Sequence, residues 1–154
     1  MNLNYPILMH TSLFIKGNLE SEDRISYISE KAFDTGYLSG AIIFDSYGMK
    51  YEITQTKKIP LHDLPFPKFL KIILKHFGGH YVASKKNRSI WVVFEVNPIR
   101  KFNLDEIKKE LTELFLNNPK WFKNSDFSQK QAIELFINEA RTVKELIKNI
   151  SVWS

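Results

Sequence analysis

The stretch Tyr37–Lys58, YLSGAIIFDSYGMKYEITQTKK, predicts the β-hairpin around which the rest of the chain is expected to fold. Its first arm, Ala41–Phe44, is an unbroken apolar run, which is typical of a strand buried on both faces. Its second arm, Met49–Thr54, alternates apolar and polar residues, as a strand with one buried face does. The Asp45–Gly48 segment between them combines Asp and Ser, which bond nearby backbone, with a glycine that is free to take a positive φ.

Two elements are predicted before this hairpin. Pro6–Lys16 is apolar and β-branched enough for a first strand, which should end at a Gly17-Asn18 turn. Ser21 is expected to cap a helix over about residues 21–35, because acidic residues follow it in the first turn and Gly36 supplies a stop. The predicted order therefore begins with a strand and a helix.

The segment after the hairpin starts with a proline-rich connector, Ile59–Pro67. Lys68–Phe77 then predicts an amphipathic helix that ends at a Gly-Gly pair, although its short apolar run is also compatible with a strand. A second hairpin follows, with arms His80–Ser84 and Ser89–Val96, and Asn97-Pro98 is expected to end it.

The C-terminal third is predicted to be helical. Asn103 should cap one helix, Asn117–Pro119 should break it, and Ser128 should cap a last helix whose apolar face reaches Ile147. The order β-α-ββ-α-ββ-α-α predicts an α+β fold. We expect a largely antiparallel sheet, built from two hairpins plus an N-terminal strand and covered by about four helices, in a single globular domain over residues 1–154.

Composition and charge limit the classes of function. The absence of cysteine excludes disulfides, thiolate metal ligands and a cysteine nucleophile. The N-terminus lacks the features of a signal peptide and no apolar run could span a bilayer, so a cytoplasmic location without a membrane partner is expected. Residues 1–56 carry four basic and seven acidic side chains, whereas residues 57–154 carry eighteen and ten. This uneven distribution favours electrostatic steering toward a charged partner.

Catalytic and metal chemistry has little support in the sequence. His76 and His80 have the i, i+4 spacing of a zinc pair, but Gly78 and Gly79 interrupt the helix between them and no third ligand is evident. His62 adjoins an Asp without any nucleophile motif. We therefore assign no catalytic residue, metal or cofactor, and a small enzyme of unknown reaction is the third hypothesis.

The runner-up hypothesis is a nucleic-acid-binding module. Basic residues recur between positions 57 and 101, at Lys57-Lys58, in the predicted 68–77 helix, at the Lys85–Arg88 tip and at Arg100-Lys101. A basic surface of this kind could bind phosphates, and Trp91 beside it could stack on a base.

Residues Gly36–Ile53 also resemble a known family. The succession of small residues, an apolar run, Asp-Ser-x-Gly and x-Lys-Tyr-x-Ile is similar to the hairpin of small immunity proteins from bacterial polymorphic-toxin and contact-dependent growth inhibition systems. The resemblance implies that the chain binds a cognate toxin C-terminal domain, often a nuclease, and neutralises it stoichiometrically. The candidate partner-binding residues are then the hairpin tips and the acidic helix, namely Glu22, Asp23, Glu30, Asp34, Asp45, Tyr47, Lys85, Lys86 and Arg88. Replacement of the tip residues Asp45 and Tyr47 is expected to leave folding intact but to weaken partner binding if the tip lies at the interface.

Overall fold

The computed structural model describes residues 3–18, 25–59 and 89–153. Within these ranges the strands are β1 Ile7–His10, β2 Ile15–Asn18, β3 Ile25–Ser29, β4 Ile42–Asp45, β5 Met49–Lys58 and β6 Ser89–Lys101. The helices are α1 Glu30–Asp34, α2 Leu104–Asn117, α3 Gln129–Ala132 and α4 Val143–Trp153, with a 3-10 helix over Pro119–Phe122 and a π-helix over Ile133–Asn138. None of these helices is long and apolar enough to cross a membrane.

The strands pair in an antiparallel manner. β1 pairs with both β2 and β4, β4 pairs with β5, and β3 pairs with β6. The register places Leu8 opposite Gly17 on one side and opposite Phe44 on the other. This arrangement, together with the helices, confirms the predicted α+β class and its largely antiparallel sheet.

The chain divides into two compact units. The first consists of Met1–Glu22, Ala41–Glu52 and Asn97–Ser154, and the second of Asp23–Gly40 and Ile53–Val96. Strands follow the order β2-β1-β4-β5 in the first unit, and β3 pairs with β6 in the second, while β5 and β6 each contribute residues to both units. The single domain predicted over residues 1–154 stays a prediction.

The core of the first unit joins the sheet to α2 and the C-terminal helices. Aromatic rings fill much of it: Phe115 lies 5.1 Å from Trp153 and 5.3 Å from Phe122 between ring centroids. Gly17 allows α4 to approach β2 closely, since a Cβ there would come within 2.9 Å of the Ile147 carbonyl. The fully buried side chains of this core include Leu8, Phe44, Leu111, Phe115, Ile137, Leu146 and Ile150.

The second unit has a smaller described core and one short helix. Its buried apolar residues include Leu38, Ile53, Val92 and Phe94. Val92 and Phe94 are alternate residues of β6, as expected for a strand that has only one face covered. Lys58 holds α1 to β5, because its ammonium group lies 2.9 Å from a Glu30 carboxylate oxygen.

The N-terminal half differs from prediction in two places. The single strand predicted over Pro6–Lys16 is wrong, because Thr11 donates its N–H to the Phe14 carbonyl at 2.9 Å and turns the chain between β1 and β2. The helix predicted over residues 21–35 is wrong for Ile25–Ser29 and confirmed for Glu30–Asp34, and residues 21–24 lie outside the described residues. Ile25–Ser29 forms β3, since its partner strand β6 overrides the local helical spacing, and Ser29 rather than Ser21 caps the short α1.

The C-terminal half confirms the predicted caps and corrects two ends. Asn103 and Ser128 each form a capping box with the residue three positions later. β6 does not end at Asn97-Pro98 but continues to Lys101, which an edge position or irregular pairing allows for proline. The last helix is not continuous: it passes into the π-helix and restarts at Val143, where the Thr142 hydroxyl accepts the Glu145 N–H at 3.1 Å.

Several predictions lie outside the described residues. These are most of the proline-rich connector, the 68–77 helix, the first arm of the second hairpin and its basic tip. The second arm of that hairpin, Ser89–Val96, lies within the described residues and forms part of β6.

Candidate binding site at the β4–β5 turn

The turn between β4 and β5 is held by hydrogen bonds on three sides. The Gly48 N–H donates to the Asp45 carbonyl at 2.9 Å, and the Gly48 carbonyl accepts the Phe102 N–H at 2.8 Å. The Ser46 N–H donates to the Asn4 carbonyl at 2.9 Å. Gly48 has a φ of 80°, as predicted, and this left-handed conformation lets the chain turn without a Cβ clash.

Asp45 supports this turn from within. Its side chain is fully buried, and Oδ1 accepts the backbone N–H groups of Tyr47 at 3.0 Å and Met49 at 2.9 Å. Oδ2 accepts the Asn4 amide at 2.8 Å and the Tyr51 hydroxyl at 3.2 Å. Two carboxylate oxygens offer about four lone-pair sites, so these bonds use the full acceptor capacity of the group.

The surroundings of Tyr51 change the pKa of its hydroxyl group. Burial raises the pKa of its hydroxyl, and the charge of Asp45 and the hydrogen bond to it raise the pKa further. The hydroxyl therefore stays protonated and continues to donate to Asp45.

Tyr47 lies at the outer end of the same turn. Its side chain is 67% exposed, although its backbone N–H is fixed by Asp45. The two tip residues thus have different roles: Asp45 organises the turn from a buried position, whereas Tyr47 presents an aromatic ring to solvent. The expectation that Asp45 could be replaced without loss of folding does not agree with its burial and its four bonds.

A charged cluster lies where α2 meets β1 and β5. The Lys50 ammonium contacts both Glu110 carboxylate oxygens, at 2.7 and 2.8 Å. His10 Nε2 lies 3.4 Å from Glu110 Oε1, and the imidazole stacks on Phe44 with 6.0 Å between ring centroids. His10 is buried and its Nε2 makes no hydrogen bond of good geometry. The cluster fastens the helix to the sheet.

The pKa of Glu110 reflects opposing influences. Burial alone would raise it, but His10 and the hydrogen bond and charge of Lys50 together lower it. His10 stands at 3.4 Å without hydrogen-bond alignment, so Lys50 is the stronger of the two favourable partners. The carboxylate is therefore held in its ionised form.

Arg100 extends this cluster toward solvent. Its guanidinium lies 3.6 Å from the centroid of the Phe102 ring and 3.0 Å from a Glu106 carboxylate oxygen. The Asn103 backbone N–H and the Arg100 guanidinium lower the pKa of Glu106. Lys50 also lies over Phe102, at 5.0 Å, so one ring contacts two cations.

The sequence did not indicate the His10–Lys50–Glu110 cluster. Its members come from three separate elements, β1, β5 and α2. The alternation of β5 places Lys50 on its polar face, which is compatible with solvent and with an ion pair alike. No spacing within a single element could have brought these three residues together.

Two of the predicted partner-binding residues meet in the second unit. Glu30 and Asp34 both contact the Lys58 ammonium, at 2.9 and 3.6 Å. Lys58 also lies 5.0 Å from the Phe33 ring centroid, and the Glu30 hydrogen bond raises its pKa. This acidic pair is thus partly neutralised by its own unit.

The basic surface proposed for nucleic acid is also partly neutralised. Lys57 pairs with Glu95 at 2.9 Å, Lys58 pairs as described, and Arg100 bonds to Glu106. These pairings reduce the positive potential that the described part of residues 57–101 offers to phosphates. Five predicted site residues lie outside the described ranges, namely Glu22, Asp23, Lys85, Lys86 and Arg88.

Within the described ranges, no group of three His, Asp or Glu side chains is arranged to hold a metal ion. Comparison with protein-family models, with curated proteins and with solved structures found no match to the chain.

Proposed function

We propose that this chain is an immunity protein that binds a cognate bacterial toxin domain and neutralises it by stoichiometric inhibition, with the β4–β5 turn at the centre of the interface. The observation that carries the proposal is an exposed tyrosine, Tyr47, on a turn fixed by the buried carboxylate of Asp45. The resemblance of residues 36–53 to immunity-protein hairpins supports the same function.

The physical basis of this proposal is preorganisation. Tyrosine is among the residues that most often dominate binding energy at protein interfaces. A side chain on a rigid turn loses less freedom on binding than one on a mobile loop, so more of its contact energy appears as affinity. The hydrogen bonds of Asp45 and Gly48 supply that rigidity before a partner arrives.

Charge has a separate role in the proposal. A nuclease toxin carries a basic surface for its substrate, and the acidic balance of residues 1–56 is complementary to it. Complementary potentials raise association rates and disfavour wrong partners more than they add affinity. The aromatic anchor is therefore assigned to affinity and the acidic residues to steering.

The proposal is tested with the toxin domain encoded by the adjoining upstream gene. The wild-type chain should rescue cells that express this domain and should bind it with nanomolar or tighter affinity. Tyr47→Ala should weaken binding about 30-fold or more, corresponding to about 2 kcal/mol, because it removes an interface anchor. Calorimetry or surface plasmon resonance measures the change.

Leu13→Ala is the matched control, because Leu13 is also 67% exposed and lies on the β1–β2 turn of the same unit. It should leave affinity and rescue unchanged, and both variants should unfold within about 0.5 kcal/mol of wild type. Equal affinity of Tyr47→Ala and wild type would remove the turn from the interface. Steeply salt-dependent binding to DNA or RNA, without any protein partner, would overturn the proposed function and favour the nucleic-acid alternative.

A further inference from the structure

A surface cleft lies between the end of the π-helix and α4, in the first unit and apart from the β4–β5 turn in sequence. Its volume is about 690 Å³, and its lining residues are Leu135, Glu139, Arg141, Glu145 and Asn149. Glu145 and Asn149 are one helical turn apart, so they lie on one face of α4. The cleft is therefore built by regular elements on both sides.

The helical geometry beside the cleft is unusual. Residues Ile133–Asn138 form a π-helix, and the Glu139 N–H donates to the Glu134 carbonyl, five residues back, at 3.2 Å. Such turns are rare and are found frequently at functional sites. Ile137 remains fully buried in this turn while Leu135 is 41% exposed, so the element keeps its core contact and still presents an apolar side chain to the cleft.

The charged side chains that line the cleft differ in whether they already form a hydrogen bond or an ion pair. The Glu145 carboxylate accepts the Arg141 backbone N–H at 2.9 Å and thereby secures the start of α4. Within the described ranges, neither the Arg141 guanidinium nor the Glu139 carboxylate forms a hydrogen bond or an ion pair. One cation and one anion are thus available beside an exposed leucine.

We propose that this cleft binds a segment of a partner protein that presents an acidic, an apolar and a basic side chain to it. The partner's carboxylate pairs with Arg141, its cation pairs with Glu139, and its apolar side chain packs on Leu135. Because the cleft is open at the surface, a peptide supported by its parent protein fits it better than a small molecule, which needs enclosure on most sides. The proposal does not rest on the proposed function.

The test uses short peptides and the full chain. Acetyl-Asp-Leu-Lys-amide and acetyl-Lys-Leu-Asp-amide, which cover both chain directions, are titrated into isotope-labelled protein and followed by two-dimensional NMR. At least one peptide should cause saturable shifts at Leu135, Glu139 and Arg141. Acetyl-Ser-Leu-Ser-amide, which lacks both charges, should bind several-fold more weakly.

Variants separate this site from general surface binding. Arg141→Gln and Glu139→Gln should each weaken the charged peptide about two- to fivefold, as expected for the loss of one exposed charge pair. Lys144→Gln is the control, because Lys144 is exposed on α4 but does not line the cleft, and it should leave affinity unchanged. The absence of saturable shifts, shifts centred elsewhere, or equal binding by Arg141→Gln and wild type would overturn the proposal. None of these measurements involves a toxin, so their failure is distinct from failure of the proposed function.

Discussion

The carboxyl group of Asp45 has no exposed surface. Replacing Asp45 by alanine leaves two backbone N–H groups, the Asn4 amide and the Tyr51 hydroxyl without their acceptor. Each buried donor without a partner costs about 1–3 kcal/mol, and partial rehydration offsets some of the sum. Asp45→Ala should therefore lower the free energy of unfolding by about 3 kcal/mol or more, measured by urea titration.

Glu52→Ala is the control for this measurement, because Glu52 is exposed on the neighbouring strand β5. It should change the free energy of unfolding by less than about 0.5 kcal/mol. A loss for Asp45→Ala as small as that of the control would mean that the turn forms without its carboxylate.

Gly48 is constrained both by its backbone and by its surroundings. Its φ is 80°, and a Cβ at this position would collide with the Phe102 carbonyl oxygen. Gly36 has a similar φ of 69°, but a Cβ there would meet only Ser39 at an ordinary 3.8 Å. Gly36→Ala therefore isolates the backbone penalty of about 1–2 kcal/mol, and Gly48→Ala should cost measurably more. Equal losses in thermal or urea unfolding would show that the Phe102 segment moves freely aside.

At the residue scale, local chemistry was predictable and distant partners were not. The sequence indicated the positive φ of Gly48 and the bonding of Asp45 to nearby backbone, because both follow from residue type within a four-residue turn. The bonds from Asn4 and Tyr51 depend on how strands pair. That pairing also converts Asp45 from an expected contact residue into a buried support.

Among the elements, α2 has the most complete local specification. Asn103 accepts the Glu106 N–H at 2.9 Å while the Glu106 carboxylate accepts the Asn103 N–H at 2.8 Å. Asn103→Ala removes one half of this capping box and should destabilise the protein by about 1 kcal/mol. Asn117→Ala, at the exposed C-terminal end of the same helix, is the control and should be near neutral. Chemical denaturation of both variants checks the difference.

The predictability of each element depended on where its determining contacts lie. α2 was predicted well because its cap, its apolar spacing and its proline break lie within the helix or within two residues of its ends. Ile25–Ser29 was predicted as helix and is a strand, because its partners on β6, Ser89–Val93, are at least 60 positions distant in sequence. The last helix was predicted as continuous because apolar spacing does not distinguish an α-helix from one that contains a π-turn.

At the scale of the whole chain, the α+β class followed from the alternation of strand and helix signals, whereas the charged clusters did not. Of the predicted site residues, Glu30 and Asp34 meet Lys58, and Tyr47 stands on a turn built by Asp45. The net charge and its distribution along the sequence show only where acidic and basic residues occur. Which charges remain available to a partner depends on internal pairing, as in Lys50–Glu110, and pairing is a property of the fold.

The Glu110 carboxylate gives the stability of the protein a definite dependence on pH. Its pKa in the folded protein lies below the ordinary value of 4.5, so the stabilisation is fully present above that value and is lost as pH falls through the folded pKa. Replacing it by glutamine should cost about 1 kcal/mol near pH 7, where the Lys50 ammonium loses its counter-charge. The difference between wild type and Glu110→Gln should then shrink in acid, as measured by urea unfolding at a series of pH values.

Glu113→Gln is the control, because Glu113 is exposed three positions further along the same helix and forms no ion pair with a described residue. Its difference from wild type should stay small at every pH, so it removes the general effect of acid on the other carboxylates. A Glu110→Gln difference that grows as pH falls would mean that burial raises the Glu110 pKa in the folded protein. The sign of that slope therefore decides whether Lys50 or burial controls the carboxylate that fastens α2 to the sheet.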